Sequence, residues 1–287
     1  MLKRYLCVDV GGTELKAALI DQSGALLTPI RYFPADSRQE AGPLLAHFAA
    51  ILSEACGETA VDGVRLAFPG PFDYEKGICL LEGQDKYDHL YGVNLRDELS
   101  RRMNFPGEEI RFLNDADAFA MGEMGFGAAK GAARAMFICI GTGLGSGFGV
   151  DGRMAPPGTP GMPEGGELYA LPFLDKRIDD YISRRGLMAL SRERLGEALD
   201  GRQLALRAGQ GDPAALACWR AFGERVRDAL LPWLESFRPQ VLCTGGQITR
   251  SGDLFLPPVE EACRGLGVSV YVTEDTSVRA LQGLTRI

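Results

Sequence analysis

Two short apolar runs open the chain. Tyr5–Val10 and Leu15–Ile20 each have strand length, and Gly11-Gly12 between them makes the pair read as a hairpin rather than a βαβ unit. Asp21-Gln22-Ser23-Gly24 marks a further turn. The period then lengthens: Leu44, Leu45, Phe48, Ile51, Leu52 and Ala55 recur at helical spacing and predict a helix over 38–56. Val61–Phe68 reads as a strand stopped by Pro69-Gly70-Pro71. A short helix over Asn94–Met103, with Asn94 as cap, and a strand at Ile110–Leu113 follow. Asn114-Asp115-Ala116-Asp117 then reads as a helix start, with Asn114 at the N-cap and acids in the first turn.

The second half returns to the same pattern. Arg134–Ile140 is a strand, the glycine-rich 141–147 follows, and Phe148-Gly149-Val150 continues in strand form. Asp151-Gly152 is a type I′ turn signal. The Pro- and Gly-rich stretch 155–166 reads as loop, and helical patterning resumes over 178–200. The longest predicted helix is 213–237, capped by Asp212, with Pro213 at its first position. Pro232 is predicted to kink or split it. A strand at Val241–Thr244 runs into Gly245-Gly246; a helix near 257–265, a strand at Val268–Thr273 and a helix over 276–284 complete the chain. The two glycine-rich strand turns lie roughly half a chain apart. They form a weak internal repeat that predicts an α/β chain of two similar domains facing each other.

Composition narrows the function classes. The chain has 287 residues, 46% apolar and 24% charged, which excludes a disordered tail, a collagen-like chain or a coiled-coil rod. Glycine is the outlier, with 37 residues against 16 prolines. That excess implies turns or close backbone approach rather than linkers. The net charge of −7 repels nucleic acid and anionic membrane. The densest basic stretch, Arg184, Arg185, Arg192 and Arg194, is interleaved with Asp179, Asp180 and Glu193 and reads as a solvated helix face. The seven cysteines form no CxxC pair; Cys7, Cys139 and Cys243 lie in apolar runs and read as small buried hydrophobes of a reducing compartment. Asp9 interrupts any signal-peptide core, and no apolar run approaches the roughly 20 residues of a membrane helix. The expectation is a cytoplasmic protein.

Three glycine clusters follow strands: Asp9-Val10-Gly11-Gly12-Thr13, then 141–147, then Gly245-Gly246. No Gly-Lys dipeptide occurs, which excludes a Walker A loop. A GxGxxG fingerprint in the second cluster fails at Ser146 or Phe148, and a strand rather than a helix follows it, which disfavours a dinucleotide dehydrogenase. Glycines at 141, 143, 145 and 147 would all fall on one face of a strand. Bare backbone there admits an anionic ligand to exposed N–H groups, although a tight turn against a helix reads about equally well. The two clusters together, with Thr13 and Thr142 beside them, favour a nucleotide held between two hairpins. Asp9, beside the first turn, is a candidate to hold the magnesium that accompanies ATP, with turn chemistry as its plainer role.

These segments resemble the ROK family (repressors, open reading frames, kinases) of the actin-like, hexokinase-like superfamily. Val8-Asp9-Val10-Gly11-Gly12-Thr13 is similar to its first phosphate motif and Ile140-Gly141-Thr142-Gly143-Leu144-Gly145-Ser146-Gly147 to its second. Asn114-Asp115-Ala116 resembles the catalytic segment, Leu242-Cys243-Thr244-Gly245-Gly246-Gln247-Ile248 the adenosine motif, and Ala280-Leu281-Gln282-Gly283 the closing segment. The order and spacing of the set make the resemblance specific over nearly the whole chain. It implies two actin-like (ribonuclease H-like) domains around an interdomain cleft, one of residues 1–114 with 274–287 and one of 115–273. It also implies a cofactor set of ATP and Mg2+, a small-molecule sugar substrate and a homodimer. Asp115 would be the general base that takes a proton from the sugar hydroxyl. Asp9, Gly11, Gly12, Thr13, Lys16, Gly141, Thr142, Gly143, Gly245 and Gly246 would hold ATP, with Asp9 on the magnesium.

The resemblance carries sugar contacts to Gly70, Asn114, Asp115, Glu167 and Asp179, unevenly. Gly166-Glu167-Leu168 resembles the family's Gly-Glu-Ile, but Tyr169-Ala170 stands where Gly-His follows. No Cys occurs between 140 and 217, where most members have a zinc module, so no structural zinc is expected. Asp179 replaces a sugar-binding Glu and is one methylene shorter. Lys86-Tyr87-Asp88-His89-Leu90-Tyr91-Gly92 replaces the usual Asn-Leu-…-Trp sugar loop; Lys86 and His89 read first as surface residues and second as cleft-facing. The resulting expectation is an ATP-dependent hexose or related sugar kinase whose sugar is open. The alternatives are a non-catalytic sugar- or nucleotide-binding regulator and an actin-like activator of a radical enzyme. The first strand begins near residue 5, which leaves no room for a DNA-reading domain, and the scattered cysteines oppose a cluster-bearing activator.

Overall fold

The computed structural model describes residues 2–287. Its contacts divide the chain into two units, one of residues up to Gly127 with Ser277–Ile287, the other Ala128–Thr276. The boundary expected after residue 114 falls just before a helix, Asp115–Phe126, that packs on the C-terminal Leu284–Arg286 and therefore belongs with the first unit.

The first unit is built on β1 (Arg4–Val10), β2 (Glu14–Asp21) and β3 (Arg31–Pro34), followed by α1 (Ala41–Cys56) and β4 (Gly63–Phe68). A small hairpin, β5 (Phe72–Asp73) with β6 (Ile78–Cys79), precedes α2 (Leu95–Met103), β7 (Ile110–Asn114) and α3 (Asp115–Phe126). The sheet order is β3-β2-β1-β4-β7. β1–β2–β3 pair antiparallel, as the Gly11-Gly12 hairpin requires, and β4 and β7 join in parallel. α1 begins where its apolar stripe does, and Leu44, Leu45, Phe48 and Leu52 are buried. Phe48 meets Phe68 edge to face at 6.4 Å, and the buried ring of Tyr87 closes on both. A stretch read as surface loop thus contributes to the core.

The second unit repeats the plan. β8 (Arg134–Ile140), β9 (Leu144–Val150) and β10 (Arg153–Met154) are antiparallel. A minor hairpin, β11 (Pro172–Phe173) with β12 (Lys176–Arg177), leads into α4 (Ile178–Tyr181), α5 (Arg184–Leu195), α6 (Gly201–Gly209) and α7 (Pro213–Phe237). β13 (Val241–Gly245), α8 (Gly252–Phe255), α9 (Pro257–Gly265) and β14 (Ser269–Val272) follow. Its order, β10-β9-β8-β13-β14, matches the first sheet strand for strand, and β13 and β14 are parallel as β4 and β7 are. α10 (Thr276–Gly283) brings the chain back to the first unit. There Arg279 donates to the buried Glu123 carboxylate at 3.1 Å and to the Phe126 carbonyl at 2.8 Å.

Three expectations are revised. The helical stretch 178–200 is two helices, because Ser183 takes an extended conformation and caps α5 by accepting from the Gly186 N–H. α7 runs unbroken through Pro232, which is exposed, so that water can reach the carbonyl a turn earlier that lacks a donor. The alternating glycines do not share one strand face. Gly141 and Gly143 form the turn, closed by the Gly141 N–H on the Gly143 carbonyl at 2.9 Å, and only Gly145, Gly147 and Gly149 alternate along β9. The Asp151-Gly152 turn has the expected positive φ at both residues, 49° and 75°.

Candidate active site

In the first unit the ends of β1, β4 and β7 bring several of the expected site residues together. Asp9 is the penultimate residue of β1 and lies opposite Lys16 on β2, with Lys16 Nζ 3.6 Å from Asp9 Oδ2. Lys16 Nζ also donates to Ser277 Oγ at 2.7 Å. The turn between the strands is closed by the Gly11 N–H on the Glu14 carbonyl at 3.0 Å. A Cβ on Gly11 would lie 2.8 Å from that oxygen, so glycine is required there by space. Gly12 is half-buried, and Thr13 is exposed at the turn's end.

Asp115 opens α3 immediately after β7. Asn114 caps the helix, its Oδ1 accepting from the N–H groups of Ala116 at 2.9 Å and Asp117 at 3.3 Å. Asn114 Nδ2 donates to the Tyr74 hydroxyl at 3.1 Å, and that hydroxyl donates to the Phe68 carbonyl at 3.0 Å. A Cβ on Gly70 would lie 3.2 Å from the Tyr74 hydroxyl and 3.7 Å from Asn114 Nδ2, so Gly70, Asn114 and Tyr74 form one cluster. Tyr74 is a site residue that sequence reasoning missed. Tyr74→Phe removes both hydrogen bonds and is expected to lower unfolding free energy by about 2 kcal/mol, roughly 1 kcal/mol for each, measured by urea denaturation.

The two carboxylates are electrostatically coupled. Burial pushes Asp9 up to about 6, Lys16 opposes that rise, and the charge of Asp115 adds to it. Surrounding protein also raises Asp115, while the Ala116 N–H and the Lys86 charge hold it back. Asp115 nevertheless stays open to solvent, where a substrate can reach it.

In the second unit the Gly141–Gly143 turn is held from two sides. The Arg184 N–H donates to the Gly141 carbonyl at 2.9 Å, and the Leu144 N–H donates to Asp179 Oδ1 at 2.7 Å. The other Asp179 oxygen accepts from Arg185. Thr142 is exposed at the tip. Gly245 ends β13 opposite Cys139, and Gly246, at φ 98°, lies against the Ile140 backbone just before the turn. Glu167 is exposed on a loop whose Leu168 N–H donates to Ser146 Oγ at 2.9 Å. Partial burial and then the Glu167 charge push the neighbouring Tyr169 phenol up.

Among the described residues no three His, Cys, Asp or Glu side chains converge as a metal cluster. Asp9, half-buried beside a glycine turn, fits the other way of holding magnesium, in which one or two carboxylates share the ion with phosphates and water. No helix is long and apolar enough to cross a membrane.

Two repeated sheets of this order, each with a glycine turn, define an actin-like α/β fold. The chain belongs to the ROK family, whose pattern it matches over residues 5–280. It is 26% identical to the glucokinase of Thermotoga maritima, over 90% of this chain and 86% of that one. It is 27% identical to the N-acetyl-D-glucosamine kinase of Haemophilus influenzae, over 88% and 89% of the two chains. It is also 23% identical to the DNA-binding transcriptional repressor Mlc of Escherichia coli, over 76% of this chain and 56% of the repressor. The ROK family glucokinase of Streptomyces griseus, solved with glucose and AMPPNP, superposes with a TM-score of 0.80 over 99% of this chain and 98% of that one, at 21% identity.

Proposed function

We propose that this chain phosphorylates a sugar hydroxyl with ATP, with Asp115 as the general base. The observation that carries the reading is the placement of Asp115 in the first turn of α3, exposed to a substrate and electrostatically coupled to Asp9 beside the Gly11-Gly12 turn. The names of the relatives, glucokinase and N-acetyl-D-glucosamine kinase, support sugar as the substrate class.

Asp115 accepts the proton of the attacking hydroxyl as its oxygen bonds to the γ-phosphorus and the bond from that phosphorus to ADP breaks. A carboxyl raised above the ordinary aspartate range is a stronger proton acceptor, and the Ala116 N–H at the helix N-terminus and the Lys86 charge favour its ionised form. Asn114 and Gly70, tied through Tyr74, orient the sugar, and Glu167 grips it from its exposed loop. The N–H groups of Gly12 and Thr13, with Lys16, receive the phosphates on the turn that the Gly11 N–H closes. Gly141, Thr142 and Gly143, with Gly245 and Gly246, take the rest of the nucleotide. Asp9 would hold magnesium, which supplies charge neutralisation on the phosphates when bound. Asp179, whose two oxygens serve Leu144 and Arg185, fixes the turn that takes the nucleotide rather than gripping the sugar itself.

The test is ADP release across a panel of hexoses and N-acetylhexosamines: turnover on at least one is expected. The match to a repressor favours a second reading, a sugar- or nucleotide-binding regulator. ATP binding with no turnover on any sugar would decide for that.

Asp9 carries a stability prediction. Its folded value near 6 lies above the ordinary 3.8, so the folded state keeps its proton longer than the unfolded chain. Stability therefore declines as pH rises from about 4 to 6, and the penalty is complete above that window. Asp9→Asn is expected to raise the melting temperature at pH 8 by a few degrees, on the order of 1–3 kcal/mol, and to lose that advantage at pH 4. The same variant should lose turnover.

A further inference from the structure

The loop that replaces the usual sugar loop is fastened to the first glycine turn. The Tyr87 hydroxyl donates to the Gly11 carbonyl at 2.6 Å, the Ser37 hydroxyl donates to the Gly12 carbonyl at 2.6 Å, and the Tyr87 N–H donates to the Ser37 carbonyl at 2.7 Å. Tyr87 is fully buried, and its backbone sits at φ 59°, in the left-handed region that a tyrosine enters only when its surroundings impose it. The Asp88 carboxylate accepts from the Gln84 and Asp85 N–H groups at 3.0 and 3.1 Å, and the Arg38 guanidinium donates to the Asp85 carbonyl. Residue 86 is therefore held from both sides.

The Lys86 stem lies along the bare Gly12: a Cβ there would stand 3.2 Å from Lys86 Cδ and 3.9 Å from Lys86 Cβ. Lys86 is half-buried, and among the described residues it makes no ion pair within 4 Å. Its charge nevertheless reaches Asp115. The stem thus lies over the glycine turn, and its charge is within electrostatic reach of the base. Lysine stems normally run out to water; this one is laid over a turn by a rigid loop.

We propose that Lys86 binds the transferring phosphoryl group, its ammonium donating to a γ-phosphate oxygen while the group passes from ADP to the sugar hydroxyl. This inference rests on the kinase reading above. Lys86 keeps its own proton throughout; the hydroxyl proton goes to Asp115, and the electron pair of the broken bond stays on ADP. The fixed loop means that little reorganisation is needed as charge shifts onto the phosphoryl oxygens. The other charges around it are Asp9, Glu14, Lys16 and Asp115, with Arg38, Asp85, Asp88 and His89 beside Lys86.

The experiment compares AMPPNP with ADP, which lacks the γ-phosphate, by calorimetry on wild type, Lys86→Met and Lys86→Arg, alongside steady-state kinetics. Lys86→Met is expected to lose AMPPNP affinity ~10-fold or more, with ADP within about twofold, and to lower kcat ~100-fold with the sugar KM nearly unchanged. Lys86→Arg should recover part of both losses, and melting temperatures should stay within a few degrees. Equal effects on AMPPNP and ADP, or a change confined to the sugar KM (a contact to the sugar), would overturn the assignment. Wild-type protein that binds neither nucleotide would overturn it as well. Wild-type protein that binds nucleotide but turns over no sugar refutes the kinase reading, and the AMPPNP–ADP comparison alone then decides for or against Lys86.

Discussion

Asp115→Asn is expected to lower kcat by about 10²- to 10⁴-fold, the usual contribution of a positioned general base. The substitution isolates that role. Asp115 Oδ1 accepts from the Ala116 N–H at 2.9 Å, and an asparagine oxygen can take the same bond. The helix cap belongs to Asn114 and is untouched. Stability and sugar KM should therefore change little while kcat collapses, a pattern that misfolding would not give. A second signature is the acid limb of the pH profile. Asp115 is raised above the ordinary aspartate value, so wild-type kcat should fall on acidification earlier than an unperturbed aspartate would dictate. The residual activity of the variant should lack that limb. Full turnover by the asparagine variant would remove Asp115 from the mechanism.

Gly246→Ala is expected to be the most damaging of the single-methyl changes near the nucleotide motifs. Gly246 sits at φ 98°, where an L side chain is strained whatever space surrounds it. Space is also lacking: a Cβ would stand 2.4 Å from the Ile140 carbonyl oxygen and 2.7 Å from its nitrogen, both backbone atoms. Strain of this kind and overpacking each typically cost 1–3 kcal/mol, so a loss of about 3 kcal/mol or more is expected, read from urea denaturation. Relief would require β13 to shift against β8, and Ile140 leads directly into the Gly141–Gly143 turn. AMPPNP affinity should therefore fall together with stability. A variant with wild-type stability would show that this backbone approach is looser than the structure has it.

The sequence makes the elements and the glycine turns legible because their signals are local. Asn114 as cap, the helical stripe of α1 and the Asp151-Gly152 turn all declare themselves within a few residues. What escapes is set at long range. Tyr74 bridges Asn114 and Phe68 across 40 and 6 positions of chain, and no spacing rule points to it. Tyr87 looks like a loop residue because its neighbours are polar, yet its ring completes the core beside Phe48 and Phe68. Pro232 misleads because a breaker on an exposed helix face leaves only a water-accessible carbonyl without its donor. The alternating glycines mislead because periodicity alone does not say where the turn ends and β9 begins.

The two halves carry the same sheet order, yet their glycine turns are fastened by opposite chemistry. Neutral hydroxyls of Tyr87 and Ser37 grip carbonyls of the first turn. An anion grips the second: Asp179 takes the Leu144 N–H and is itself steadied by the exposed guanidinium of Arg185. Concentrated salt screens an exposed guanidinium–carboxylate pair and leaves buried neutral hydrogen bonds almost untouched. Ionic strength therefore divides the molecule: the Gly141–Gly143 turn gains mobility in brine while the Gly11-Gly12 turn keeps its shape, a selective loosening visible as amide hydrogen exchange rising in one duplicated half only.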